Sequence, residues 1–257
     1  MNILKEFYNE LGYATATNQY IELAVRYFEK EHGKEAIEES AREINLSVSV
    51  LPEKYVTRIA KSYIVEIYSN IEKFLASFKE LEGNPTERMA AFDSKVYESR
   101  LRWTLISCYG KNFPEEVKIY YNICNYYRLV RNEIVHMGER SSEYRNARSR
   151  VMNLDDSLLE AKLYQRLNAP NDVENIMFDD QVLFSRVARK LCERIYKDSQ
   201  YDWNKILELN RKQIKEMVRK VRDCEEKRNQ KIINYLMQAY PAQENQSLIE
   251  TLKNFGA

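Results

Sequence analysis

Glycine and proline are too scarce in this chain to make the turns of a β-rich fold. Only 6 glycines and 5 prolines occur in 257 residues, against usual shares of about 7% and 5%. Tight turns between strands need residues that tolerate positive φ or hold φ fixed, and both kinds are nearly missing. Apolar residues, 44% of the chain, recur instead at intervals of three and four, which gathers them on one side of a helix. The expected fold class is all-α, a helical bundle of four or five main helices with helical N- and C-terminal extensions.

Along the chain, "NQYIELAVRYFEKEHG" places Ile21, Val25 and Phe28 on one face and ends at Gly33,. "KEAIEESAREINL" is a second helical run, and "SVSVLPE" around Pro52 breaks the pattern, although Pro52 is also suited to the first turn of a helix,. From Tyr55 a long helix is expected, with apolar residues at 56, 59, 60, 63, 64, 67, 71, 74, 75 and 78, ended by Gly83 and the "NPTE" turn. "SKVYESRLRWTLISCYG" is expected as a third helix closed by Gly110. "FPEEVKIYYNICNYYRLVRNEIVHMG" is a fourth, with Pro114 at its first position and Glu115 and Glu116 in its first turn,. "ERSSEYRNARSR" is expected as a polar loop, followed by helical runs at "DDSLLEAKLYQRL" and "DDQVLFSRVARKLCERIYKD". A long charged helix is expected from Trp203 to Tyr240, then Pro241 and a short final helix. These breaks divide the chain into an N-terminal extension (1–52), a main helical domain (53–200) and charged C-terminal helices (201–257).

Lys plus Arg (40) nearly balances Asp plus Glu (39), so no long-range field announces a nucleic-acid or membrane partner, and any such partner is met locally. Cys108, Cys124, Cys192 and Cys224 are far apart, with no CxxC pair and no histidine at ligand spacing. They are expected as reduced thiols inside helices, not as a zinc site or a disulfide frame, and no metal or cofactor is expected. The N-terminus lacks a basic-then-apolar signal layout and no run of 18 apolar residues occurs, so a cytoplasmic protein without membrane contact is expected,.

The chemistry concentrates in "YYRLVRNEIVHMG", residues 126–138, which holds one of only two histidines. Arg128, Asn132 and His136 fall at i, i+4 and i+8, and Asn132 lies about 160° around the helix from the Val130 and Ile134 side. His136 is therefore not expected on the core face. Arg131 has a stem long enough to bring its guanidinium back toward His136, and a planar fork of donors suits a phosphate better than a lysine's point charge. An arginine and a histidine so placed suit a phosphodiester. The plain alternative is a surface histidine in the last turn before a glycine cap, stabilised by the helix dipole.

"RNEIVH" resembles the R-x4-to-6-H motif, with a polar residue directly after the arginine, of the HEPN superfamily (higher eukaryotes and prokaryotes nucleotide-binding). The motif closes a helix in an all-α chain and follows "SYIVEIYSNIEKFL", which is similar to the early helix of many HEPN domains. The resemblance covers residues 55 to about 200; the first 50 residues and the charged C-terminal helices have no counterpart in it. It implies a metal-independent endoribonuclease acting as a symmetric homodimer, since acid and base both being histidine takes His136 from two chains. In that implied site Arg131 binds the scissile phosphate, Asn132 orients His136 or bonds across the dimer, and Arg128 adds a phosphate contact. RNA is then the substrate and DNA is spared, because DNA lacks the 2′-OH. The biological role implied is a toxin or antiviral defence effector, with an antitoxin as partner. Two other readings stand beside it: a non-catalytic HEPN-like adaptor or dimerisation module, and a HEPN partner of a nucleotidyltransferase that blocks the site.

His32, before Gly33, reads as a solvated helix-terminal residue. The tyrosines of "IYYNICNYY" read as packing before base stacking. Residues 210–231, with nine Lys or Arg against four acids, read as a solvated helix face buried along Ile214, Met217, Val218 and Val221, before RNA docking.

Overall fold

The computed structural model describes residues 2–32, 36–45, 52–136, 141–154, 168–221, 224–240 and 246–255. Every regular element among them is helical, so the chain is all-α as the scarcity of turn residues predicts. The elements are α1 (Ile3–His32), α2 (Ala36–Glu43), α3 (Pro52–Lys79), α4 (Ser94–Tyr97), α5 (Arg100–Tyr109), α6 (Glu115–His136), α7 (Ser142–Met152), α8 (Phe178–Asp198), α9 (Trp203–Leu209), α10 (Arg211–Val218), α11 (Glu225–Leu236) and α12 (Gln246–Asn254). Short 3-10 turns lie at Pro85–Arg88, Val173–Asn175 and Arg219–Val221. Pro52 starts α3, and residue 200 falls in the connection between α8 and α9.

Several elements differ from the sequence expectation. α1 begins at Ile3, fifteen residues before the periodic segment expected at 18, because Leu4, Phe7, Leu11 and Ala14 carry its buried stripe toward the N-terminus. The run expected as one helix from 94 to 110 is split at Glu98, which adopts φ 63°, and Ser99 recaps α5 by accepting from the Arg102 amide. Where one long helix is expected from Trp203 to Tyr240, the described residues form three: Asn210 stops α9 by turning its amide onto the Ile206 carbonyl at 2.8 Å, and α10 gives way to a 3-10 turn at Arg219–Val221,. Residues 142–150, expected as loop, lie in α7, which is capped by the Ser141 hydroxyl on the Tyr144 amide. Pro114 sits one position before α6 and accepts from the Lys118 amide,. Cys224 lies just outside α11, while Cys124 and Cys192 are buried inside helices, and none of the four is in a disulfide. The run 155–167, Gly33, Met137, Gly138 and Pro241 fall outside the described residues.

The chain divides into two compact units, each assembled from segments distant in sequence. Unit 1 comprises Met1–Phe7, Ile71–Lys118 and Lys190–Ala257, and unit 2 comprises Tyr8–Asn70 and Ile119–Arg189. Unit 1 is organised by aromatic contacts: Phe74 meets Phe7 at 5.3 Å and Tyr196 at 6.5 Å, and Trp203 packs with Tyr201 and Tyr240. Among the described residues of the basic run 210–231, Ile214 and Val218 are buried and most charged side chains are turned outward, the solvated-face arrangement. In unit 2 the stripe of α3 from Ala60 to Ile67 is buried, as are Ile119, Ile123, Tyr126, Tyr127 and Val130 of α6.

The turn after α3 needs its glycine. Gly83 has φ +70°, its carbonyl accepts from the Asp202 amide at 2.7 Å, and a Cβ there would stand 2.7 Å from Ile206 Cγ1 and 3.0 Å from the Asp202 carbonyl. Gly83→Ala is therefore expected to lower stability by about 2 kcal/mol or more, as left-handed strain and a backbone clash combine. Urea denaturation measures it, and an unchanged midpoint would contradict this account of the turn.

Candidate functional site

The four candidate residues all lie on α6, and solvent access rises along them. Arg128 is only 8% exposed, and its Nε donates to Asn125 Oδ1 at 2.9 Å one turn earlier. Arg131 and Asn132 are half-buried, Val135 is 45% exposed and His136 is exposed at the end of the helix. His136 thus stands off the core face, as the periodicity predicts, and Val130 at 0% exposure marks the opposite, buried side. The Arg131 guanidinium meets the adjacent Asn132: Nη1 donates to Asn132 Oδ1 at 3.2 Å. Its Nε is shielded from solvent and has no hydrogen-bond partner among the described residues. Arg131 and Asn132 are joined, Arg128 is tied back to Asn125, and His136 ends the row.

The two tyrosines before Arg128 are core residues, in line with the packing interpretation. Tyr127 stacks on Phe184 at 4.7 Å between ring centroids, and Tyr126 packs on Tyr144 of α7 at 5.8 Å. Their hydroxyls are used as well. Tyr126 donates to the Asn171 carbonyl, and Tyr127 donates to Asp180 Oδ1 at 2.8 Å.

Asp180 is the group that the sequence did not single out. Its side chain is fully buried and accepts four hydrogen bonds: Tyr127 Oη, the Asn171 amide at 2.7 Å, Asn171 Nδ2 at 2.9 Å and the Met177 amide at 2.9 Å. Burial pushes its carboxyl above the usual carboxylate range, and these donors pull it back down,. The bond to Met177 is half of a capping box, an acidic side chain at the third helical position reaching back to the amide before the helix. That signal was legible in "MFDD"; its burial was not, since an acid in a first turn is ordinarily solvated. Beside it Tyr144 donates to Asp172 Oδ1 at 2.8 Å, accepts from the Val173 amide, and Arg148 lies 3.3 Å from Asp172 Oδ2. Tyr144 and Arg148 belong to α7.

His32, the other histidine, ends α1 exposed to solvent with its ring 5.0 Å from that of Phe28. Among the described residues no group of three or more His, Cys, Asp or Glu is placed to hold a metal ion, and no helix is long and apolar enough to cross a membrane.

Asp180→Ala is expected to cost about 3 kcal/mol, because it strands a buried phenol and three N–H donors. The check is urea denaturation of the purified variant; a loss below about 1 kcal/mol would show that the cluster does not hold α6.

Comparisons with protein-family models, with curated proteins and with solved structures found no match to the chain.

Proposed function

We propose that the chain is a metal-independent endoribonuclease of HEPN type, acting as a cytoplasmic toxin or antiviral effector. The observation that carries this reading is the Arg131 guanidinium bonded to Asn132 beside the exposed end of α6 where His136 stands. Cutting RNA without a metal takes a base for the 2′-OH proton, an acid for the departing 5′-oxygen and a cation for the charge on the pentacoordinate phosphorus. Under this proposal two copies of α6 face each other. One His136 removes the 2′-OH proton, the 2′-oxygen attacks phosphorus, and the other His136 protonates the 5′-oxygen as its bond to phosphorus breaks. The products are a 2′,3′-cyclic phosphate and a free 5′-hydroxyl.

Arg131 is the phosphate ligand in this scheme. Its bond to Asn132 leaves other N–H groups of the planar fork for phosphate oxygens, which a lysine would not reproduce,. Arg128, with Nε bound to Asn125, adds positive charge from the buried side rather than an exposed contact. A second reading, a non-catalytic HEPN-like adaptor or dimerisation module that docks through α1, is favoured by the exposed tyrosines of that helix.

In EDTA, wild-type protein is expected to cut a labelled structured RNA and leave 2′,3′-cyclic phosphate ends, while the matching DNA stays intact. His136→Ala is expected to lower the rate by at least about a hundredfold with helicity unchanged by circular dichroism, and Arg131→Lys by about tenfold or more. Undiminished cleavage by His136→Ala would remove the catalytic assignment, and a folded wild type that cuts no RNA would favour the docking module.

A further inference from the structure

α1 carries two apolar stripes on opposite sides. In unit 2 one runs through Leu11 and Ala14, which are buried, and on past the buried amide of Asn18 through Ile21, Val25 and Phe28, which are half-buried. The other runs through Tyr13, Ala16, Tyr20, Leu23 and Tyr27 and is open to solvent: the tyrosines are 74%, 74% and 63% exposed and Leu23 is 66% exposed. No charged residue occurs between Leu11 and Ile21. An exposed face of this kind is seldom left bare, and here its spacing says what covers it.

The intervals 13, 16, 20, 23, 27 are three, four, three and four, the 3.5-residue repeat that keeps a seam turned toward another helix. We propose that this stripe docks on the same stripe of a second copy of the chain, with the two α1 helices antiparallel and Tyr20 facing the partner's Leu23. In that register Ala16 faces the partner's Tyr27, and Tyr13 faces the partner's Lys30, an arrangement suited to a cation over an aromatic ring. Each tyrosine meets a residue other than tyrosine, and each contact occurs twice about the two-fold axis, as an isologous interface requires.

Size and charge both select this occupant. The first half of the stripe is thin, with Gly12, Ala16 and Thr17 exposed beside Tyr13, and the second half is thick with Leu23 and Tyr27. Antiparallel pairing sets thin against thick, whereas parallel pairing sets tyrosine against tyrosine. Gly12 supports close approach: glycine inside a helix costs about 0.5–1 kcal/mol relative to alanine, and a Cβ there would meet nothing within 4 Å in the chain itself. The flanking Thr17, Gln19 and Ala24 carry no charge, so a second copy brings no like charges together,. Three tyrosines and a leucine exposed to this degree offer roughly 600 Å² per copy, about 1,200 Å² for the pair, which reaches the lower range of stable interfaces.

Pairing through α1 is independent of the ribonuclease reading, which the His136→Ala cleavage assay tests by itself. The deciding experiment is sedimentation equilibrium of the full chain from roughly 1 to 100 μM, with circular dichroism on every variant. Wild type is expected to associate reversibly, and Tyr20→Glu/Leu23→Glu to weaken that association on the order of a hundredfold by setting like charges face to face. Tyr20→Glu/Leu23→Lys is expected to restore it, because positions 20 and 23 of opposite copies meet only when the helices run antiparallel. Ala16→Arg, at an exposed position and with good helix propensity, is a second disrupting variant should the first lose helicity. A wild type that stays monomeric across the range would assign the stripe to another occupant and overturn the proposal. So would association that the disrupting variants leave unchanged, or that Tyr20→Glu/Leu23→Lys fails to recover.

Discussion

A buried carboxylate has to be met on every side, and in this protein that requirement gathers the elements around the end of α6. Asp180 takes hydrogen bonds from Tyr127 on α6, from the backbone and side chain of Asn171 in the preceding connection, and from Met177 at the start of α8 itself. A carboxylate out of water with fewer partners would cost several kcal/mol. Satisfying Asp180 therefore demands that the 168–177 connection and α6 arrive together. Tyr144 of α7 adds to the same arrangement through Asp172 and through its ring on Tyr126. One turn of α6 beyond Tyr127 comes Arg131, so the candidate site hangs from a helix fixed by these bonds.

The chemistry of α6 follows from where its burial stops. From Ile123 to Val130 the helix is enclosed and its polar groups are spent internally, Arg128 on Asn125 included. Past Val130 the enclosure loosens, and Arg131, Asn132 and His136 emerge in that order. A guanidinium that is half-buried and held by Asn132 loses little freedom on meeting a phosphate, which is the physical advantage of arginine over lysine at such a place. An imidazole at the open end keeps access to solvent and substrate. This gradient from enclosed to open along two turns is what supports the nucleolytic reading of the motif.

α1 uses the opposite economy. A helix of thirty residues with one stripe against its own unit and a second stripe open to water is built for two surfaces, one within the chain and one beyond it. Tyrosine suits the outer stripe because its ring gains from burial while its hydroxyl tolerates water. The pairing proposed through α1 and the pairing proposed through α6 would be separate isologous contacts, and a chain that used both would assemble beyond a dimer.

Much of the architecture was legible from residues alone. The long buried face of α3, the apolar stripe of α6 and the outward turn of His136 all follow from periodicity, which reports a local property: which side of a helix an atom lies on. Glu98, Asn210 and Ser141 set breaks and a cap that periodicity did not resolve, because a local hydrogen bond or a single positive φ ends or starts a helix without altering the hydrophobic pattern. The polar stretch around Ser141 concealed α7, since its buried residues Tyr144, Ala147 and Val151 are sparse among charged neighbours. What the sequence by itself determined is the helical class, the faces of the main helices and the coincidence of Arg131, Asn132 and His136 near one helix end. What only the tertiary structure decided is which polar groups are enclosed, Asp180 and Arg128 above all, and which apolar ones are not, Tyr13, Tyr20 and Tyr27. The reason is physical: enclosure depends on residues distant in the chain, and a helix pattern carries no record of what lies across from it.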